Sequence, residues 1–293
     1  MLNKKKREFD IMNYMIFIIF VLLFLLFSIL LFNKGFLTFA NLMNITRQAA
    51  TIAIMSTGMT FVLCAGEIDL SIGSIVALSS IIAAILLRDF NIYFAIMGGL
   101  STGALIGLIN GLLVTKVKIP SFLVTLGMMS ILLGLARWVS GIRAIPVTNR
   151  AYNFIFGLGT VGRIPILFIW TLLAAGIGQL VLTKTPFGRK VFATGGNILA
   201  ARYTGIKVDR IKISVLIISG IMASLAGLIY AGRLQGARYT LGGEDLLTVI
   251  AATVIGGTSL FGGKGTVFGA VVGTFILCMI NNGIILLGLS LDQ

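Results

Sequence analysis

Long apolar segments without charges recur along the whole chain, and short polar stretches separate them. A helix needs about 20 apolar residues to cross a hydrocarbon core about 30 Å thick. The pattern predicts an all-α fold, a polytopic transmembrane helical bundle that occupies residues 1–293 as a single transmembrane domain. The nine predicted spans are residues 11–32, 48–66, 70–87, 90–115, 119–136, 164–183, 213–232, 246–263 and 265–291.

The composition narrows the chemistry that this chain can perform. Only 11% of its residues are charged, against about a quarter in soluble domains. Histidine is absent, which excludes Ser-His-Asp triads and histidine metal sites within the chain. We expect no catalytic residue, no metal and no cofactor of its own. Cys64 and Cys278 lie in apolar runs and are predicted to be buried thiols.

The positions of the basic residues predict the orientation. With the amino terminus inside, the cytoplasmic segments hold four basic residues before the first span, two at 116–118, seven in 184–212, and Lys264. This excess follows the positive-inside rule, although Arg143, Arg150 and Arg163 in the external segment 137–163 run against it. The basic excess thus serves membrane orientation, and we do not expect nucleic-acid binding.

Two sets of glycines repeat every four residues and so lie along one face of a helix. Such small-residue faces let helices approach closely in a membrane, where hydrophobicity alone does not drive helices together. The sets predicted to pack helices are Gly99, Gly103, Gly107 and Gly111, and Gly265, Gly269 and Gly273.

Glycine and polar residues interrupt the apolar pattern around 65–74 and 256–265. Irregular backbone at membrane depth must be buried in protein or line a wet cavity, and interrupted segments often mark a translocation pathway. Glu67 and Asp69 lie in the first interruption, just before Ser71. An acid at this depth is a functional hypothesis by default. The alternative is that Asp69 caps the helix that begins near Ser71.

Four amides, at Asn110, Gln179, Asn281 and Asn282, fall inside predicted spans. Each can bond a polar substrate or a neighbouring helix, and the second role is the more common. We take Asn110, Asn281 and Asn282, together with Glu67, Asp69 and Ser71, as the candidate pathway or gating residues.

The segment 184–212 is the longest predicted cytoplasmic stretch between spans and a natural docking surface for a partner. Asn197 is predicted to cap a short helix that ends at Gly205. The alternative is a basic loop on anionic lipid. The glycines at 157–162 and 263–265 do not fit a nucleotide-binding turn in this context, so the chain has no ATP site of its own.

Five motifs in this order resemble the ribose, xylose and galactoside type permeases of binding-protein-dependent ABC importers, which are related more distantly to branched-chain amino acid permeases. The Asp-Leu-Ser sequence in the first motif favours a sugar over an amino acid. The motifs are Gly66 to Ser74, Pro120 to Gly127, Thr185 to Arg189, Gly195 to Asn197 with Ala200 to Arg202 and Gly205-Ile206, and Gly256 to Leu260 with Gly262, Gly263 and Gly265.

The resemblance implies an importer of a monosaccharide such as ribose in the bacterial inner membrane, with a lipid-embedded homodimer of this chain. A cytoplasmic ATP-binding subunit would hold ATP and Mg, and an extracytoplasmic sugar-binding protein would deliver substrate. Family members usually have about ten spans, so we expect a final span to be missing here. The residues implied to contact the ATPase are Pro186, Gly188, Arg189, Gly195, Gly196, Asn197, Arg202 and Gly205.

Two other functions stay open from the residues alone. An ion-coupled secondary transporter of a small polar solute would use Glu67 or Asp69 as a proton or cation site. A membrane-embedded enzyme is disfavoured because the chain lacks histidine and a sizeable soluble domain.

Overall fold

A computed structural model describes residues 2–288, and their side chains from Met15 onward. The all-α prediction is confirmed. The helices are α1 Leu2–Leu30, α2 Phe39–Cys64, α3 Ile72–Asp89, α4 Ile92–Leu112, α5 Ser121–Ser140, α6 Arg150–Asn153, α7 Ile166–Lys184, α8 Pro186–Gly196, α9 Ile198–Tyr203, α10 Val208–Arg233, α11 Asp245–Ile255 and α12 Val267–Leu287.

Short irregular elements lie between the helices. A 3-10 turn covers Phe32–Lys34, and π-helical turns cover Leu113–Val117 and Phe154–Leu158. Strands β1 Ile145–Pro146 and β4 Gly236–Ala237 form an antiparallel pair. Strands β2 Thr160–Val161 and β3 Ile164–Pro165 form another.

Six helices of the described chain are long and apolar enough to cross a membrane. They correspond to six of the nine predicted spans, and the apolar stretch Met15–Leu30 of α1 is shorter. The end of the predicted span 265–291 lies beyond the described residues. The six are Ile72–Asp89, Ile92–Val117, Ser121–Ser140, Ile166–Lys184, Val208–Arg233 and Val267–Leu287.

Helix α2, which contains the predicted span 48–66, is long but less apolar than these six. Its 26 residues extend about 39 Å. The hydroxyl groups of Thr57 and Thr60 are buried and donate to carbonyl oxygens one turn earlier in the same helix. Protein surrounds this part of α2, so the helix does not need a uniformly apolar surface.

The predicted span 246–263 is helical only in its first part, and the interruption predicted around 256–265 is confirmed. Helix α11 has only 11 residues, about 16 Å, and residues 256–266 are not helical. Glycines cause the break, because Gly257, Gly262 and Gly263 take positive φ values that other residues rarely adopt. These residues carry no charge before Lys264, so hydropathy alone did not distinguish the break from a span.

Helices α2 and α10 form the centre of the bundle, and α10 packs against α2, α3 and α4. The glycine face of α4 lies directly on α10. A methyl group at Gly103 would overlap the carbonyl oxygen of Gly220, and one at Gly107 would overlap that of Leu216. On α12, Gly273 lies in the same way against the backbone of α11, and Gly269 lies against Gly256 just after it, whereas Gly265 precedes α12 and is not part of this helix face. Both contacts bring helix backbones together without intervening side chains.

The bundle has two ends, and we call the end where the non-helical residues 65–71 and 256–266 lie the junction end. The junction end carries residues 65–71, 113–120, 185–207 and 256–266. The far end carries residues 31–38 and 141–165. Near the far end, the amides of Asn41 in α2 and Asn282 in α12 exchange two hydrogen bonds of 3.0 and 2.9 Å.

Candidate functional site

The first break, residues 65–71, separates α2 from α3 and enters the bundle along α10. Glu67 forms an ion pair with Lys212, and Asp69 bonds to Ser219. Lys212 and Ser219 are seven residues apart on α10, which is about 10 Å along the helix axis. The first break therefore runs inward from the junction end, with α3 beginning inside the bundle.

Asp69 is fully buried and is surrounded by hydroxyl and amide donors. Its Oδ1 accepts from the Ser71 N–H at 3.0 Å and from the Ser71 hydroxyl at 2.6 Å. The Ser219 hydroxyl of α10 donates to Oδ2 at 2.7 Å. No Lys or Arg of the described chain forms an ion pair with this carboxylate. Hydrogen bonds thus take the place of a counter-ion.

Asn110 extends this network to α4. Its Nδ2 donates to the Ser71 hydroxyl oxygen at 3.0 Å, so the bonds run from α10 through Asp69 and Ser71 to α4. The Asn110 side chain is fully buried, and its Oδ1 has no hydrogen-bond partner in the described structure. The sequence grouped Asp69, Ser71 and Asn110 as candidates, and the structure brings these three together.

Helix α5 holds the backbone of the first break. The Ile68 N–H donates to the Ser121 hydroxyl oxygen at 3.1 Å, and the Leu70 N–H donates to Thr125 Oγ1 at 3.0 Å. The Thr125 hydroxyl also lies 3.3 Å from the Ile68 carbonyl oxygen. Two side chains spaced one turn apart on α5 therefore replace the hydrogen bonds that a helix would have made internally.

Sequence reasoning missed four residues of this site: Lys212, Ser121, Thr125 and Ser219. Ser121 and Thr125 lie four residues apart after Pro120, a spacing that places both on one helix face. That spacing was the available signal. Ser219 gives no such signal, because a lone serine in an apolar run has the same pattern as a serine that bonds its own helix.

The second break, residues 256–266, lies between α11 and α12 and contacts the end of α2. The Gly263 N–H donates to the Cys64 carbonyl oxygen at 3.0 Å. Gln179 of α7 satisfies the start of α12, because its Oε1 accepts from the N–H groups of Val267 and Phe268 at 2.9 and 3.3 Å. Both breaks therefore meet at the junction end.

Two of the four span amides lie away from the Asp69 network. Asn282 pairs with Asn41, roughly 35 Å along α2 from Cys64, and Asn281 is exposed. Gln179 caps a helix and thus acts between helices. The structure does not bring Asn281 or Asn282 to Asp69.

The segment 184–212 folds into the two short helices α8 and α9 before α10 begins. Thr185 caps α8, with Pro186 in its first turn. The predicted helix after Asn197 is confirmed, since the Ala200 N–H donates to Asn197 Oδ1 at 3.0 Å and Gly205 takes a φ of +81° beyond the helix end. Two consecutive capped helices make a compact element on the junction end.

Helix α9 presents apolar as well as basic side chains to its surroundings. Tyr203 is 90% exposed and Leu199 is 65% exposed. Arg189 of α8 is exposed, and Arg202 makes an exposed 3.7 Å ion pair with Asp209. Large exposed side chains beside arginine are common at protein interfaces.

The comparisons with known proteins agree on one class. A family model described as "Branched-chain amino acid transport system / permease component" matches residues 41–292. The chain is 40% identical to the ribose import permease protein RbsC of Bacillus subtilis over 88% of its length and 81% of that protein. It is 39% identical to RbsC of Escherichia coli K12, with 88% and 82% covered.

A permease named for another sugar is similar as well. The D-allose transport system permease protein AlsC of Escherichia coli K12 is 38% identical, with 85% of this chain and 77% of that protein covered. No solved structure matches this chain.

The ion pair between Glu67 and Lys212 allows a test of how firmly the first break is held. We expect Lys212→Met to lower the free energy of unfolding in detergent by about 3 kcal/mol, because it leaves a buried carboxylate without its cation. Adding Glu67→Gln should recover most of the loss. Lys207→Met, which removes an exposed lysine nearby, is the control. Additive losses in the double variant would contradict the pairing.

Proposed function

Because the chain belongs to the family of branched-chain amino acid transport system permease components, we propose that it is the membrane-spanning permease subunit of an ATP-driven, binding-protein-dependent importer of a monosaccharide, ribose or a similar sugar. The identity of 39–40% with ribose permeases over 88% of the chain carries this proposal. Relatives named for allose and arabinose support the wider class of monosaccharides.

In this proposal the chain performs no covalent chemistry and moves sugar by rearrangement of its helices. ATP and Mg would bind a separate ATP-binding subunit, whose hydrolysis drives the rearrangement. The two breaks are the candidate moving parts, because each interrupts a helix with glycines at positive φ near the junction end. An extracytoplasmic sugar-binding protein would deliver the substrate.

We propose that the junction end is cytoplasmic, with nine spans in this chain and the amino terminus inside. The six long apolar helices would be six of these spans. Helices α1 and α2 would be two more, and α11 together with the second break would be the ninth. The basic side chains that the structure describes at the junction end support this orientation. They are Lys116, Lys118, Lys184, Arg189, Lys190, Arg202, Lys207, Arg210, Lys212 and Lys264.

The far end would then face the sugar-binding protein. A cleft of about 530 Å³ opens there between the segment after β1 and Gln235, with Arg150 and Asn153 in its wall. Arg143, Arg150 and Arg163 are exposed, and none of them forms an ion pair within the described residues. Unpaired arginines on the external face suit a partner with acidic loops.

The rival reading as an ion-coupled transporter depends on a free carboxylate in the pathway. Asp69 does not support it, because both of its oxygens already accept hydrogen bonds from Ser71 and Ser219. Glu67 does not support it either, since Lys212 neutralises its charge. Both acids instead attach the first break to α10.

We propose that a second copy of the chain packs against α5. This helix lies on α3 and leaves its remaining faces exposed. Gly127 and Gly134 lie two turns apart on the exposed surface, and no atom lies within 4 Å of the place where either side chain would begin. A face of small residues allows another helix to approach closely.

The function is tested by uptake of radiolabelled ribose into liposomes that contain this chain, its ATP-binding subunit and its sugar-binding protein. We expect uptake only with both partners and ATP present, and each component is omitted in turn. Allose and arabinose serve as alternative substrates. Uptake driven by an ion gradient without the ATPase would support the secondary transporter, and failure with all three sugars in the complete mixture would contradict the proposed substrate class.

The docking role of α8 and α9 is tested by reversing a charge. We expect Arg189→Glu to weaken copurification with the ATP-binding subunit by about tenfold, because it turns an attraction into a repulsion. The variant should still insert into the membrane. Lys116→Glu makes the same reversal at the same end of the bundle but outside α8 and α9, and it should copurify normally. Equal behaviour of the two variants would argue against this docking surface.

The α5 interface is tested by cross-linking in native membranes. Both natural cysteines are buried, so a cysteine placed at Gly127 or Gly134 provides an exposed thiol. We expect mild oxidation to produce a covalent dimer at one or both positions. Leu173→Cys, on the exposed face of α7, is the control and should stay monomeric. A dimer from the α7 cysteine alone would place the second copy on another face.

A further inference from the structure

Three stretches of backbone meet at one point of the junction end, and each contributes glycine there. They are the end of α2 at Cys64 with the following Gly66, the end of α8 at Gly195, and the second break at Gly262 and Gly263. We call this contact the glycine junction. The Gly263 N–H bonds to the Cys64 carbonyl oxygen at 3.0 Å, so the second break is also bonded to the end of α2, directly before the first break.

Gly195 lies between the two breaks with no room for a side chain. A methyl group at this position would overlap the Cys64 carbonyl oxygen and would come within 2.7 Å of the Gly263 nitrogen. From the other side, a methyl at Gly262 would lie 2.6 Å from the Gly195 carbonyl oxygen. The atoms in contact are backbone atoms on all three sides, so no change of rotamer can relieve a displacement.

The other parts of α8 are also fixed to the bundle. Gly188 lies against the carbonyl oxygen of Leu182 at the end of α7, and a methyl group there would overlap it. The ring of Phe187 stacks near that of Phe61 of α2, with 6.3 Å between centroids. Val191 is fully buried. Helix α8 is therefore a rigid arm whose outer face is basic and whose last residues lie against both breaks.

We propose that Gly195 is a positioning residue that passes a displacement of α8 to both breaks at once. The proposal rests on the proposed function, because the displacement would come from the ATP-binding subunit on α8 and α9. Gly195 would be the point where ATP hydrolysis is coupled to movement of the pathway. Backbone contact at Gly195 makes the first break and the second break respond together, which a pathway formed by both breaks requires.

The test uses the complete complex in liposomes, with ribose uptake and ATP hydrolysis measured on the same preparation. We expect Gly195→Ala to copurify with the ATP-binding subunit and to hydrolyse ATP, while uptake per ATP hydrolysed falls about tenfold. The added methyl group forces α8 away from Cys64 and Gly263, so α8 can move without moving the breaks. A loss of docking would instead remove copurification.

Two further glycine variants are controls, because each adds a methyl group without the close backbone contact found at Gly195. Gly176 lies in α7 with no atom within 4 Å of the added position, and Gly176→Ala is expected to transport normally. Gly196 follows Gly195 directly, but the nearest atom to a methyl group added at Gly196 would be 3.9 Å away. Gly196→Ala should therefore lose much less coupling than Gly195→Ala. Similar losses at both neighbours would contradict the proposal.

Distances between spin labels, measured in protein that keeps Gly195, test the proposal even if Gly195→Ala fails to fold. Spin labels replace Lys190 on α8 and Phe261 in the second break, both of which are exposed, with a reference label at Ile285 of α12. Between the nucleotide-free and ATP-trapped states, we expect the distance from Lys190 to Ile285 to change while that from Lys190 to Phe261 stays constant. A change in the second distance, or in neither, would overturn the junction.

The two proposals fail in different ways. If the unaltered complex takes up no sugar in response to ATP, the proposed function is wrong whatever the variants do. If the unaltered complex is coupled and Gly195→Ala is equally coupled, only the glycine junction is wrong.

Discussion

The structure depends on how a stretch of non-helical backbone is satisfied inside a bundle that lipid surrounds. Lipid offers no hydrogen-bond partners, so the N–H and carbonyl groups of residues 65–71 need partners from the protein. Ser121 and Thr125 of α5 supply them for Ile68 and Leu70, and Asp69 accepts from the Ser71 N–H. Because Ser219 and Lys212 of α10 bind the two acids, the same bonds also fix α3, α5 and α10 relative to one another.

The sequence predicted the helices of this fold better than its breaks. Periods of apolar residues located six long apolar helices, and glycine spacing identified the faces of α4 and α12 that meet α10 and α11. Only the first part of the predicted span 246–263 is helical, because hydropathy measures the polarity of residues and not their backbone angles. Its glycines at 256–257 and 262–263 mark the break, and Gly257, Gly262 and Gly263 take the positive φ values that end the helix there.

The candidate site was predicted in part for a similar reason. The sequence indicates a role for Glu67 and Asp69 because acids are rare in apolar segments, whereas Ser219, which bonds Asp69, looks like any serine in a helix. Lys212 is one of several basic residues in its segment, so its pairing with Glu67 depends on the fold. Asn282 differs from these acids, since the sequence predicts it as a pathway residue and its amide bonds Asn41 about 35 Å from the first break.

The distribution of strong and weak contacts indicates which parts can move. Removing the Ser219 hydroxyl would leave the buried Oδ2 of Asp69 unsatisfied, so residues 67–71 should move as one body with α10. Rotation then has to occur outside the Asp69 network, and Gly66 in the first break and Gly257 in the second take positive φ values. Gly195 lies against Gly66 of the first break and against Gly262 and Gly263 of the second. A rigid arm that presses on both breaks at this point moves them without breaking the network that holds Asp69.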